Sequence, residues 1–405
     1  MDVPNPPVID NQRPLGIDRL EQIFRANAKS RLMELFLFHF HQTGYTLKQV
    51  FLGTPAYGTV DPANMETILS SKFTDWGNGP RRAIAFPMFG DGIFTQDGQA
   101  WKHSRDILRP QFAHRQYETL GVFKEPLADL LGVLPDKEGL GGVVDLQSLF
   151  FSYTLDVTTA FLFGDSVRSL RSSGSSAEPT FARAFDLAQI YVAKRFRLSG
   201  MYFLIGGKEF REACREVHQF ADRIIDQNLS REPTDADEAK YVFLKSVAKS
   251  CPDRAALRGQ IINILAAGRD TTACMLSWLF SPSLSFCARQ YKDRSEDNSP
   301  SHGWRLRQEV AHAEVFRPER WDEDLPLNQD PTLQKWGYLP FNGGPRVCLG
   351  IDFALTEVAY TVVTLLQRYP VIKLPDGERV DVVGAEKQSM TLVIQITGGC
   401  KVELG

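Results

Sequence analysis

The sequence predicts a mainly α-helical fold with a small β region, and three observations carry that expectation. Apolar residues recur at three- and four-residue spacing through most of the 405 residues. Period-two and turn signals are confined to "VFLGTPAYGTV" (50–60) and to the C-terminal "VIKLPDGERVDVV" and "SMTLVIQITGGCKVEL". Hydrophobic residues at 43% and charged residues at 23% are an ordinary globular balance, which excludes a disordered or fibrous chain.

In chain order, "LMELFLFHFH" (32–41) reads as a buried helix face, with shallow membrane contact as a lesser alternative. Gly53-Thr54-Pro55 is a short hairpin signal. Asp61 and Pro62 supply an N-cap and first-turn residue for the helix "ANMETILSS". Amphipathic helices follow in "LQSLFFSYTLDVTTAFLFG" (146–164) and "FARAFDLAQIYVAKRF" (181–196). The stretches 171–180 and 230–240 are polar and read as surface loops. From Asp253 as N-cap, "RAALRGQIINILAAGRDTTACMLSWLF" runs as one helix to Phe280, roughly 40 Å long at 1.5 Å per residue. Pro282 stops it, and in 281–312 the apolar period fades into a polar stretch. Ile351, Leu355, Val358, Val362 and Leu365 share one helix face before Pro370, and Pro375-Asp376-Gly377 is a turn. There is no internal repeat, so 1–405 reads as a single domain.

Charge and cysteine usage narrow the function. With 46 Lys and Arg against 49 Asp and Glu, the net charge of −3 offers no footprint for nucleic acid. The six cysteines (Cys214, Cys251, Cys274, Cys287, Cys348, Cys400) stand singly, against a disulfide framework or zinc ribbon and in keeping with a reducing compartment. The N-terminus has no basic-then-apolar leader, and no run of about 18 apolar residues occurs, so membrane contact is expected to be peripheral at most. "GGKEF" (206–210) is not a phosphate loop, and the seven histidines form no HExxH.

Two stretches carry chemistry. In "AGRDTT" (267–272), Gly268 costs about 1 kcal/mol inside a helix, which implies a close approach to the backbone. Asp270, Thr271 and Thr272 place a carboxylate and two hydroxyls in a helix otherwise suited to burial, where they need water, a ligand or a back-bond to the carbonyl four residues earlier. Taken alone, this segment reads better as a solvated turn of a surface helix or as hydroxyls bonded back to the helix. The second stretch is "FNGGPRVCLG" (341–350). Cys348 precedes an apolar helix whose N-terminal N–H groups favour a thiolate, and Gly343, Gly344 and Gly350 leave the backbone around the sulfur bare. Arg346 suits a carboxylate, and Phe341 suits a flat apolar face. A lone cysteine in a Gly-rich turn is more often simply buried.

The full string FxxGxRxCxG resembles the haem-binding loop of the cytochrome P-450 family of haem-thiolate monooxygenases. "WKHSR" (101–105), "AGRDTT" and "FRPERW" (316–321) resemble further family blocks in the family's order. The resemblance implies a cytochrome P-450 fold and haem b (heme, iron protoporphyrin IX) with Cys348 as the metal's axial ligand. A thiolate in that place favours O–O cleavage. Trp101 and Arg105 are implied as propionate partners, Arg346, Phe341 and Gly350 as further residues binding the haem, Gly268 as leaving room for the oxygen, and Asp270 with Thr271 as an acid–alcohol proton relay. "GDGIFTQDGQAWKHSRDILRPQF", "LFFSYTLDVTTAFLFG" and "FNGGPRVCLGIDFALTEVAY" are similar to the fungal n-alkane and fatty-acid hydroxylases of the family. That implies O2, a long-chain apolar substrate and electrons from NADPH-cytochrome reductase.

The chain departs from the family pattern twice. Members of this subfamily usually carry an N-terminal anchor to the endoplasmic reticulum, which this sequence lacks. The family also places an ExxR helix and several strands between the central helix and "FRPERW". Here 281–312 fills that interval, on the order of a hundred residues short. The nearby Glu314–Arg317 match overlaps the "FRPERW" block and reads as accidental, leaving Arg320 without its expected partners. A truncated product or a defective gene model accounts for this. The alternative function is then a non-catalytic remnant with at most weak haem binding.

Overall fold

The computed structural model describes residues 5–113, 120–135, 142–171, 178–230, 243–281, 331–378 and 387–405. In chain order the elements used below are α1 (Ile17–Ala28), α2 (Leu32–Thr43), β1 (Thr46–Phe51), β2 (Thr54–Thr59), α3 (Pro62–Glu66), α4 (Arg81–Phe89), α5 (Gly98–Leu108), α6 (Gly121–Val133), β3 (Val143–Asp145), α7 (Leu146–Phe163), α8 (Glu178–Leu198), α9 (Lys208–Ser230), α10 (Phe243–Ser250), α11 (Arg254–Phe280), α12 (Pro331–Trp336), α13 (Ile351–Arg368), β4 (Ile372–Lys373), β5 (Gln388–Met390), β6 (Ile394–Ile396) and β7 (Lys401–Leu404). The fold is mainly helical with small sheets, as the sequence predicts. The chain divides into two compact units.

The first unit comprises Met1–Trp76, Ser281–Cys348 and Gly377–Met390. β1 and β2 pair antiparallel from Thr46↔Thr59 to Phe51↔Thr54. The turn lies at Leu52 and Gly53, with φ of 49° and 80°, one residue earlier than the Gly53-Thr54-Pro55 signal suggests. Positive φ at both central residues matches the right-handed twist of a two-residue hairpin. Asp61 caps α3 as expected, its Oδ1 accepting from the N–H groups of Ala63 (2.9 Å) and Asn64 (3.2 Å). In α2 only Leu32 and His39 are fully buried and Phe38 is exposed, so this helix covers less than its composition suggests.

The second unit comprises Gly77–Phe280, Leu349–Asp376 and Thr391–Gly405. α11 forms its axis, running from Arg254 to Phe280 with Asp253 Oδ2 accepting from Ala256 N–H at 2.9 Å. α7 lies along it and α8 packs on α9, where Phe181 stacks on Phe220 with ring centroids 3.8 Å apart. α13 packs on α11 and α6, and its Phe353 ring lies 5.1 Å from Phe123 of α6 and 4.7 Å from Phe161 of α7. β3, β7 and β4 form a three-stranded antiparallel sheet.

The buried face of α13 matches the expected one only in part, at Val358 and Leu365. Phe353, Glu357, Val358, Thr361 and Leu365 are buried, whereas Leu355 is exposed along with Val363 and Leu366. Apolar residues occupy a wider arc of this helix than the described residues cover, so periodicity alone misplaces the face. Among the described residues no helix is long and apolar enough to cross a membrane. "FRPERW", Arg320, the Glu314–Arg317 match and Cys287 lie outside the described residues.

Candidate functional site

Phe341, Arg346 and Cys348 belong to the first unit. The loop that carries the sulfur is locked by its own backbone: Cys348 N–H donates to Phe341 C=O at 3.0 Å, Asn342 N–H to Leu339 C=O at 3.3 Å and Val347 N–H to Gly344 C=O at 3.1 Å. Asn342 takes a left-handed φ of 64°, and its Oδ1 accepts from Gly343 N–H at 2.8 Å. The Arg346 guanidinium lies 5.8 Å from the centroid of the Phe73 ring. Of the described cysteines Cys348 is the exposed one; Cys214, Cys274 and Cys400 are buried and Cys251 is half-buried.

The loop glycines have a different physical reason from the one the sequence suggests. At Gly344, with φ of 64°, a β-carbon would stand 1.8 Å from Leu69 O, and at Gly343 one would stand 2.6 Å from the Trp336 ring. Close approach of protein to protein requires both. Gly350, in the second unit, is looser: a β-carbon there would meet Phe112 at 3.5 Å.

Trp101, Arg105, Gly268, Asp270 and Thr271 also belong to the second unit. Trp101 and Arg105 sit one turn apart on α5, the indole buried and the guanidinium 5.8 Å from its centroid. α5 is fixed to α11 by Gln260 Nε2, which donates to Ser104 Oγ at 2.6 Å. At Gly268 the predicted close approach is made by α7, since a β-carbon would stand 2.6 Å from Thr158 Oγ1.

Asp270 and Thr271, adjacent in sequence, point different ways. Thr271 is exposed and its hydroxyl donates back to Ala267 C=O at 2.6 Å. Asp270 is buried, and both of its oxygens are engaged: Oδ2 accepts from Gln189 Nε2 at 2.6 Å and Oδ1 from Arg269 Nη1 at 3.0 Å. The same Nη1 reaches Asp186 Oδ1 at 2.7 Å. Burial pushes the Asp270 carboxyl up to about 6, against the lowering pull of Arg269 and Gln189. An acid that titrates near neutrality is suited to giving and regaining a proton.

Sequence reading missed Gln189, Arg269 and Asp186. Arg269 was legible in principle, because an arginine inside an apolar helix requires a carboxylate. Asp186 and Gln189, three residues apart on α8, look like an ordinary polar stripe until the two helices meet.

Haem chemistry can be tested on the donor set. A soft, exposed sulfur at the end of a hydrogen-bonded loop, with α13 beginning three residues later, is one of the ligand types that haem iron takes. Among the described residues no cluster of His, Cys, Asp and Glu could hold a bare metal ion instead. The residues present fit a thiolate-ligated haem.

Comparison with known proteins shows the family. The family model "Cytochrome P450" matches residues 22–282 and 307–396. The chain is 34% identical over 475 positions to "Cytochrome P450" of Arthroderma benhamiae, covering 96% of this chain and 90% of that one. It is 35% identical to "Cytochrome P450 52A12" of Debaryomyces hansenii, with 80% and 78% covered. It is 34% identical to "Cytochrome P450 52A1" of Candida tropicalis, with 89% and 80% covered. The solved heme domain of cytochrome P450DA shares the fold at a TM-score of 0.71 and 16% identity, covering 99% of this chain and 97% of that one.

Proposed function

Because the chain belongs to the cytochrome P450 family of haem-thiolate monooxygenases, we propose that Cys348 is the axial ligand of haem b in an enzyme hydroxylating a long-chain fatty acid or n-alkane. The family draws electrons from a redox partner, which we assign here to a separate NADPH-cytochrome reductase. Bound haem supplies the chemistry of O2 activation: one oxygen atom enters a terminal or near-terminal C–H bond, and the other leaves as water after taking up two electrons and two protons.

The chain's own residues have distinct tasks. The loop 341–348 presents the Cys348 sulfur on a frame that cannot relax, because Gly344 is wedged against Leu69. Arg105 and Arg346 offer guanidinium groups for the haem carboxylates, with Trp101 as a rigid apolar backing to Arg105. Phe341 serves to cover the haem face and keep water from the sulfur, and Gly350 leaves the backbone beside the sulfur bare. Thr271, exposed on α11, presents the hydroxyl for proton delivery, and Asp270 holds the proton to be delivered. The observation that carries the reading is the exposed thiol of Cys348 at the end of a hydrogen-bonded loop of the family's pattern.

A second reading, a truncated member that does not turn over, draws support from three observations. The family model leaves out 283–306, the alignment with the Arthroderma relative runs 475 positions against a chain of 405, and α13 leaves Leu355, Val363 and Leu366 exposed. Each is what loss of a packed layer would leave behind. One experiment separates the two. The protein loaded with haem, reduced and exposed to CO should give the strongly red-shifted Soret band of thiolate ligation, and Cys348→Ser should abolish it. A histidine-type spectrum or no haem uptake would favour the second reading.

A further inference from the structure

We infer that Gln189 of α8 is a positioning residue for Asp270: its amide holds the carboxyl on the α8 side of α11, away from the face that bears Thr271. The inference rests on the reading of Asp270 and Thr271 as a proton relay and names what controls it. Neighbouring residues on a helix stand about 100° apart around its axis, so Asp270 and Thr271 do not face one another. In this structure the acid is tied at 2.6 Å to Gln189 and at 3.0 Å to Arg269, while the Thr271 hydroxyl is tied at 2.6 Å to Ala267 C=O. Neither group bonds to the other. To hand its proton toward the Thr271 side, Asp270 has to leave Gln189 or pass the proton through water.

The chemistry of the latch suits a bond that must open. A neutral amide donates one hydrogen bond and brings no charge, whereas a second guanidinium would pin the carboxylate in its ionised form. The guanidinium already present is shared, because Arg269 Nη1 also serves Asp186, whose side chain is 55% exposed. The titratable groups that face Asp270 are Arg269 and Cys274 on its own helix and Asp186 on α8. When Asp270 gives up its proton, the negative charge stays on its carboxylate beside Arg269, and the proton is replaced from solvent.

The test follows the acid itself. In protein labelled with 13C at the aspartate carboxyl carbon, the Asp270 resonance is assigned by its loss in Asp270→Asn, and its titration midpoint is read with or without haem. Gln189→Leu removes a donor to the ionised form and should raise that midpoint by roughly half a pH unit or more. Gln189→Glu, of nearly the same size, puts a second acid against the first and should raise it further, which keeps the test alive if the leucine variant does not fold. In the haem-loaded enzyme with its reductase, the pH at which product formation gives way to peroxide should move upward with the midpoint. A midpoint unmoved in both variants would mean that the amide does not hold the carboxyl, and that result overturns the inference while sparing the relay. If Asp270→Asn leaves coupling unchanged, the relay itself fails and Gln189 has nothing to position.

Discussion

A β-carbon built on Gly268 would stand 2.6 Å from Thr158 Oγ1 and 3.0 Å from its methyl group, so the bare position on α11 is the contact surface for α7. Thr158 cannot easily withdraw, because its hydroxyl donates to Thr154 C=O at 2.7 Å in a fully buried turn. Gly268→Ala gains about 1 kcal/mol of helix propensity and incurs an overpacking cost of roughly 1–3 kcal/mol, so a lower Tm is expected. Adding Thr158→Ala should restore part of the loss. A double variant whose Tm change is the plain sum of the two single changes would show that the pair is not in contact.

Gly344 and Gly350 belong to one sequence motif and should behave oppositely. Gly344→Ala forces a side chain into a left-handed backbone and onto a carbonyl 1.8 Å away, and no rotamer relieves either. Loss of soluble folded protein is expected. At Gly350, φ is −99° and the nearest atom would be 3.5 Å off, so Gly350→Ala should change stability by only about 0.5 kcal/mol or less. Equal Tm changes for the two variants would refute the packing account of the loop.

What the sequence exposes is local. Asp253 and Asp61 mark helix starts through bonds to residues two or three away and Pro62 through its fixed φ, and all three sit where those rules place them. The loop 341–350 was legible because its pattern is contiguous. Gln189 against Asp270, Gln260 against Ser104 and Thr158 against Gly268 join segments from 81 to 156 residues apart, and nothing in either partner's local pattern announces the other. The same limit explains the misread face of α13, where a heptad-like choice of Leu355 and Val362 missed that Glu357 and Thr361 turn inward.

Glu357 supplies a pH test. Its two oxygens are buried and, among the described residues, without hydrogen-bond partners, one turn from Thr361, whose hydroxyl lies 2.8 Å from that of Tyr153. Burial raises its carboxyl well above the usual range, favouring the neutral acid in the folded chain. The unfolded chain ionises at the ordinary carboxylate value. Stability from this group is therefore complete below that value and falls as pH rises toward the raised one. Glu357→Gln removes the titration. Chemical denaturation should find the variant equal to the parent in mild acid and progressively more stable above it, and parallel pH curves would mean that the carboxyl is solvated.

Thr271 separates chemistry from stability. It is exposed, and its hydroxyl donates back to Ala267 C=O, so Thr271→Ala should keep the stability within about 0.5 kcal/mol of the parent's. If its hydroxyl passes the proton that Asp270 holds, its loss leaves haem uptake and substrate binding intact and diverts reducing equivalents into peroxide. The ratio of hydroxylated product to NADPH consumed should drop several-fold, with the missing electrons recovered as peroxide. Thr271→Ser keeps a hydroxyl at the same helical position and should recover most of the coupling. Unchanged coupling in the alanine variant would remove Thr271 from proton delivery and leave Asp270 to act through water alone.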